Sequence, residues 1–135
     1  MSDYDFVARI QRLVTGLIER SRPKSVGDEP SDKWDIVDGD TYELSLSRST
    51  LRVRSRDGDG TYPFVLDILD DSGRIIESVI EGVREDEPYY GLAELFTSAS
   101  RNNLGVESKL DEIFSELNIS DTPPPKDDPW GKAPF

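Results

Sequence analysis

The chain has 135 residues, of which 28 are acidic and 16 basic, for a net charge of −12, and it contains neither cysteine nor histidine. Those absences exclude disulfides, thiolate chemistry, Cys-ligated zinc or iron–sulfur sites, and the commonest near-neutral acid–base and metal ligand. Leu, Ile, Val and Phe supply 35 residues, above the roughly 20% floor below which a charged chain stays unfolded.

The first predicted element is a helix from Asp3 to Arg20. Ser2 stands at its N-cap with Asp5 three residues on, the capping-box spacing, and Asp3 and Asp5 suit the positive helix end. Phe6, Ile10, Leu13 and Leu17 follow the helical repeat, and Val7, Val14 and Ile18 widen the stripe. At about 100° per residue these seven fall within roughly 140° of arc, a core-facing stripe, with Arg9, Arg12 and Arg20 opposite. Residues 21–33 carry two prolines, a glycine and six charges, the composition of a linker or long surface loop. Trp34 then opens an apolar stretch with Ile36 and Val37, and suits a plug over one end of the core.

From Thr41 the period changes from helical to alternating. Tyr42, Leu44 and Leu46 face one way, and Leu51 and Val53 follow, with Arg52, Arg54 and Arg56 on the other side. A hairpin turning at 47–50 pairs Leu46 with Leu51, Leu44 with Val53 and Glu43 with Arg54. After the turn Asp57-Gly58-Asp59-Gly60, a third strand carries Tyr62, Phe64, Leu66 and Ile68 on one face, with Pro63 arguing for an edge position or a bulge. Beyond the Asp70-Asp71-Ser72-Gly73 turn, a fourth strand runs from Arg74 to Ile80. The expectation is a four-stranded antiparallel meander with one face on the core.

Asp86-Glu87-Pro88 reads as a helix entry, with Leu92, Leu95, Phe96 and Ala99 buried and Asn102-Asn103 as the stop. A break at Leu104-Gly105 precedes a last helix with Val106, Leu110, Ile113, Phe114 and Leu117 inward and Glu107, Asp111, Glu112 and Glu116 on its other side. The predicted fold is α+β: an N-terminal helix, a four-stranded antiparallel β-meander and a C-terminal helical hairpin over residues 1–119, then a disordered C-terminal tail at 120–135. That tail holds five of the nine prolines and no aliphatic residue larger than alanine.

Sites for chemistry are scarce. Asp57-Gly-Asp59 and Asp38-Gly39-Asp40 resemble the start of a calcium loop, yet the twelfth position that should bring a carboxylate is Ile68 in one case and Ser49 in the other. Turn chemistry explains both. No glycine-rich loop sits at a strand–helix junction to cradle a phosphate. Asp67, between apolar residues on the third strand, is expected on the solvent side, so no pair of carboxylates in a dry cleft is expected. No catalytic residue, cofactor or metal is assigned, and an enzyme is not expected.

The binding features are stronger. Residues 1–60 are nearly balanced, with 10 basic and 12 acidic residues, whereas 61–135 carry 6 against 16. An acidic face of that kind serves either as a solubility surface or to draw a basic partner, and it disfavours nonspecific contact with nucleic-acid backbone. Glu107, Asp111, Glu112 and Glu116 belong to it. Arg52, Arg54 and Arg56 form a ladder suited either to a solvated, paired face or to docking a carboxylate- or phosphate-rich partner. The tail places Asp127 and Asp128 before Trp130, Pro134 and Phe135, two large aromatics whose exposure makes them natural anchors. This ending resembles the acidic tails of bacterial single-stranded-DNA-binding proteins, which close in Pro-Phe and dock onto repair and replication partners. The resemblance runs from Asp127 to Phe135, with Lys132 and Ala133 interrupting the acids, and the rest of the chain lacks that family's strand-rich barrel.

The expected function is therefore a small acidic protein–protein interaction module: an adaptor, an inhibitor or an immunity-type neutraliser of a partner with a basic surface or pocket. The alternatives are a secretion or assembly chaperone and a mimic of the single-stranded-DNA-binding-protein tail. No stretch of 18 apolar residues exists and no basic-then-apolar leader opens the chain, so a cytoplasmic location without membrane contact is expected. Monomer and dimer are both compatible with the sequence.

Overall fold

The computed structural model describes residues 3–25 and 27–119, and its element order is that of an α+β fold. An N-terminal helix, α1 (Asp3–Arg20), precedes strands β1 (Asp35–Asp38), β2 (Thr41–Ser45), β3 (Thr50–Ser55), β4 (Phe64–Leu69) and β5 (Ile75–Glu81), and helices α2 (Leu92–Leu104) and α3 (Val106–Leu117) follow. The strands form one antiparallel sheet in sequence order, β1-β2-β3-β4-β5. The meander thus has five strands rather than four. The additional one is the short stretch after Trp34, which pairs with β2 across an irregularity between Ile36 and Asp38. Ser2, expected to cap α1, and the tail at 120–135 lie outside the described residues.

One face of the sheet is core. Tyr42, Leu44, Leu51, Val53, Phe64, Leu66 and Val79 alternate onto it and meet Ile10, Val14 and Leu17 of α1 and Leu92, Leu95 and Ala99 of α2. Three rings link the layers: Phe96 lies 5.5 Å from Tyr42, edge to face, and 5.0 Å from Phe64. Trp34 is fully buried and plugs the core as expected. Its Nε1–H donates to Ser21 Oγ at 2.8 Å, so its one polar group is satisfied.

Several local expectations are corrected. The β2–β3 hairpin closes on two residues instead of four: Leu46 N–H donates to Ser49 O at 2.8 Å. Leu44 therefore stands opposite Leu51, Tyr42 opposite Val53 and Glu43 opposite Arg52, rather than the Leu46–Leu51, Leu44–Val53 and Glu43–Arg54 pairs. A shift of two keeps every side chain on its face, which is why the burial pattern does not reveal it. Pro63 marks neither an edge nor a bulge, because β4 pairs on both sides and Pro63 stands just before it. Its missing N–H costs the ladder nothing there.

Helix α2 begins at Leu92 rather than at Asp86-Glu87-Pro88, because those acids serve elsewhere. Glu87 turns back to accept the N–H groups of Gly82, Val83 and Arg84. The positive end of α2 is held instead by Glu81 of β5, whose Oε1 takes the N–H of Tyr90 at 2.8 Å, of Gly91 at 3.1 Å and of Leu92 at 3.4 Å. At its other end α2 passes the expected Asn102-Asn103 stop and finishes on Gly105, whose φ of 70° is the left-handed cap conformation.

The two asparagines fasten the 21–33 segment instead. Asn102 Oδ1 accepts the Trp34 N–H at 2.7 Å, and its Nδ2 donates to Ser21 O at 2.9 Å and Asp32 O at 2.8 Å. Asn103 Nδ2 donates to Trp34 O at 3.0 Å. A segment with a linker's composition is thereby held on the body of the fold, its backbone groups paired by one buried amide.

The largest departure concerns α3. Val106, Leu110, Ile113, Phe114 and Leu117 were expected inward, yet no residue of α3 is buried. Among the described elements α3 packs extensively only against α2. The chain turns at the left-handed Gly105 and lays α3 against α2, so that β1 and the first half of β5 stay exposed rather than being covered by it.

Candidate interaction surface

Two of the three residue groups singled out by the sequence fall within the described residues. Arg52 and Arg54 alternate with the buried Leu51 and Val53 and point away from the helices. Arg52 stands between two acids, in a row running Glu43–Arg52–Asp67–Ser78, whereas Arg54 stands opposite Thr41 and Val65 and reaches Asp67 diagonally. Arg52 Nη2 lies 2.7 Å from Glu43 Oε2, and Arg54 Nε lies 3.0 Å from Asp67 Oδ2. Arg56, just past the strand, is exposed and pairs with Asp57 at 3.3 Å. Each guanidinium already has a carboxylate, which reduces the positive charge this strip offers to an acidic partner.

Asp67 corrects a further expectation. It does lie on the face opposite Leu66, but it is fully buried there rather than solvated. Ser78 Oγ–H donates to its Oδ1 at 2.5 Å, so Arg54 and Ser78 together hold the carboxylate. A long arginine on the neighbouring strand shields what simple alternation reads as wet. Neither carboxylate oxygen of this buried side chain is left without a partner.

The acidic group lies on α3. Leu110 is 41%, Ile113 37% and Leu117 62% exposed, while Val106 and Phe114 are half-buried. Taking about 100° per residue, the five apolar side chains occupy an arc of roughly 100°. Glu107 and Asp111 follow on one flank, and Glu112 and Glu116 on the other. Lys109, the helix's one base, is bonded to Glu112 at 2.9 Å. Two exposed residues that the sequence did not single out, Leu104 at 70% and Ile119 at 51%, add apolar surface at the helix ends.

The surface on α3 is preformed. Its C-terminal turn closes with Ile119 N–H donating to Phe114 O at 2.9 Å and Asn118 N–H to Ser115 O at 3.2 Å. Asn118 adopts the left-handed conformation that this double closure requires, with φ of 59°. Arginines and α3 acids are not brought together, because the former face away from the helical layer and α3 rests on α2. Asp127, Asp128, Trp130, Pro134 and Phe135 lie outside the described residues.

The Asp-Gly-Asp turns work as turns. Asp59 Oδ1 accepts the Thr61 N–H at 3.0 Å and the Ser55 hydroxyl at 3.1 Å, and those bonds, the Thr61 N–H first, hold its carboxyl below the usual carboxylate range. Asp38 Oδ1 accepts the Gly39 N–H at 2.7 Å. Among the described residues no group of three or more potential metal ligands comes together. A cavity of about 100 Å³ lies between the 21–33 segment and the α2–α3 corner, lined by Pro23, Pro30, Lys33, Arg101 and Glu107, and open surface hollows of about 350 Å³ beside Val14, Ile18 and Tyr90 and about 410 Å³ beside Asp38, Asp40, Arg54 and Arg56 reach the ~300 Å³ at which small-molecule pockets begin. Among the described residues, no helix is long and apolar enough to cross a membrane.

No protein-family model matches the chain, and neither a curated protein nor a solved structure matches it. The site must be read from its own geometry.

Proposed function

We propose that this chain is a protein–protein interaction module that captures a partner with a basic surface or pocket, acting as an adaptor, an inhibitor or a neutraliser. One observation carries the reading: α3 leaves Leu110, Ile113 and Leu117 of its apolar stripe exposed, and that stripe is flanked by Glu107, Asp111, Glu112 and Glu116. Exposed apolar surface rimmed by charge of one sign is the character of a recognition patch, and the acidic rim speeds encounter with an oppositely charged partner.

The test is a pull-down from native lysate, read by mass spectrometry, comparing the full chain with a chain ending at Ile119. A partner retained by both, and released by raising salt through the physiological range, supports capture by the folded part. A partner seen only with the full chain moves the contact to Trp130 and Phe135, as the tail resemblance implies. Capture insensitive to both salt and truncation overturns the reading.

A chaperone role has its own support in β5, an edge strand with no further strand beside it among the described residues, where Ile75 and Ile76 are exposed. Such a protein holds an otherwise insoluble client, so binding of folded partners alone would count against it.

A further inference from the structure

We infer that α3 takes a short amphipathic helix with lysines or arginines on both flanks of its apolar stripe. This rests on the interaction-module reading and names the partner chemistry of that surface. Val106, Leu110, Ile113 and Leu117 are spaced four, three and four residues apart, the seam spacing of paired helices. Over 12 residues the helix is about 18 Å long, a match for three to four turns of a partner. The helix follows directly on the left-handed Gly105 that closes α2 and is itself closed at its C-terminus by the left-handed Asn118, so it is already helical before anything docks, which reduces the ordering cost of association.

Charge decides between occupants. The helix carries four acids and one lysine, and that lysine is already bonded to Glu112. A second copy laid along the same seam would bring six uncompensated negative charges together. A helix with basic flanks would meet Glu107 on one side and, on the other, Glu116 together with Lys109, whose charge Glu112 already compensates; these are the flanking positions that set partner choice in helix pairs. The apolar spacing supplies the contact and the acidic flanks select the partner.

The probes are two synthetic peptides of four helical turns with leucines at the same four-three-four spacing, one with lysine and one with glutamate at every flanking position. Each is titrated into the isotopically labelled full chain, and backbone amide shifts are followed by NMR. The expected result is that the lysine peptide moves the amides of Leu110, Ile113 and Leu117, binds at least tenfold more weakly at physiological than at low salt, and loses at least tenfold on Ile113→Ser combined with Leu117→Ser. Both positions are exposed, and the dispersion of the amide spectrum verifies that the variant folds. The glutamate peptide is expected to leave α3 unmoved. Equal binding of the two peptides overturns the inference, as does no α3 shift with either. Shifts on α3 that follow chain concentration alone assign the seam to a second copy. Shifts on α3 when the chain is cut at Ile119 assign it to the tail. Either result also overturns the inference. If a lysate partner survives the Ile113→Ser, Leu117→Ser change, the module reading stands and only the α3 assignment falls.

Discussion

Asn102 satisfies three backbone groups, two of them buried and one half-buried, with one side chain, and no other residue type has the same set of donors and acceptor at that length. Asn102→Ala strands the Trp34 N–H and the Ser21 and Asp32 carbonyls, and is expected to cost about 2–4 kcal/mol by urea denaturation. Asn102→Asp keeps the acceptor for Trp34 but turns a carboxylate toward two carbonyls, and is expected to cost more. The sequence showed an Asn-Asn pair near a helix end, where a stop signal is the simplest reading. What makes it a latch is a segment some 70 residues away, and sequence pattern contains no long-range term. Asp67 was misread for a related reason. Alternation correctly gave its face, but burial depends on which side chains lean over it from β3 and β5.

At the scale of elements, three helices and the four longer strands were legible because each repeats its apolar period over enough residues to be unmistakable. β1 escaped because it has four residues, all exposed, and therefore no alternation. The entry to α2 escaped because a carboxylate from a neighbouring strand caps it, so the acids nearest in sequence were not the ones used. The inward reading of α3 failed because periodicity defines a stripe without saying what, if anything, lies against it. Two substitutions separate these cases. Leu95→Ala, at a fully buried position of α2, is expected to lose about 2–5 kcal/mol, and Leu117→Ser on α3 to stay within about 0.5 kcal/mol. Thermal or chemical unfolding of the two variants checks both.

For the whole molecule, charge governs the response to acid. Glu87, bonded to the N–H groups of Gly82, Arg84 and Val83, and Asp70, bonded to the N–H groups of Arg74 and Ser72 and to the Ser72 hydroxyl, are held below the usual carboxylate range. Asp59 is held low in the same way. A carboxyl held low in the folded state contributes stability that is complete above its unfolded value of about 4, and that is lost as pH falls through the folded value. The urea midpoint is therefore expected to be nearly flat from neutral pH down to about 5 and to fall below about 4. In an Asp70→Asn, Glu87→Gln double variant the neutral-pH midpoint is expected to be lower and the acid slope shallower. The net charge also vanishes near pH 4.3, so self-association is strongest in the window where these turns begin to loosen.

The attachment of α3 to a single neighbour has a kinetic consequence. A helix fixed on one side alone can detach while the sheet, α1 and α2 keep their core, so its opening is a sub-global event with its own free energy. Its amides are expected to exchange with deuterium well before those of Leu66 or Leu95, at a rate insensitive to substitutions in the core. The surface that most resembles a binding site can then open without global unfolding, and an occupant would be read first as slowed exchange from Val106 to Leu117.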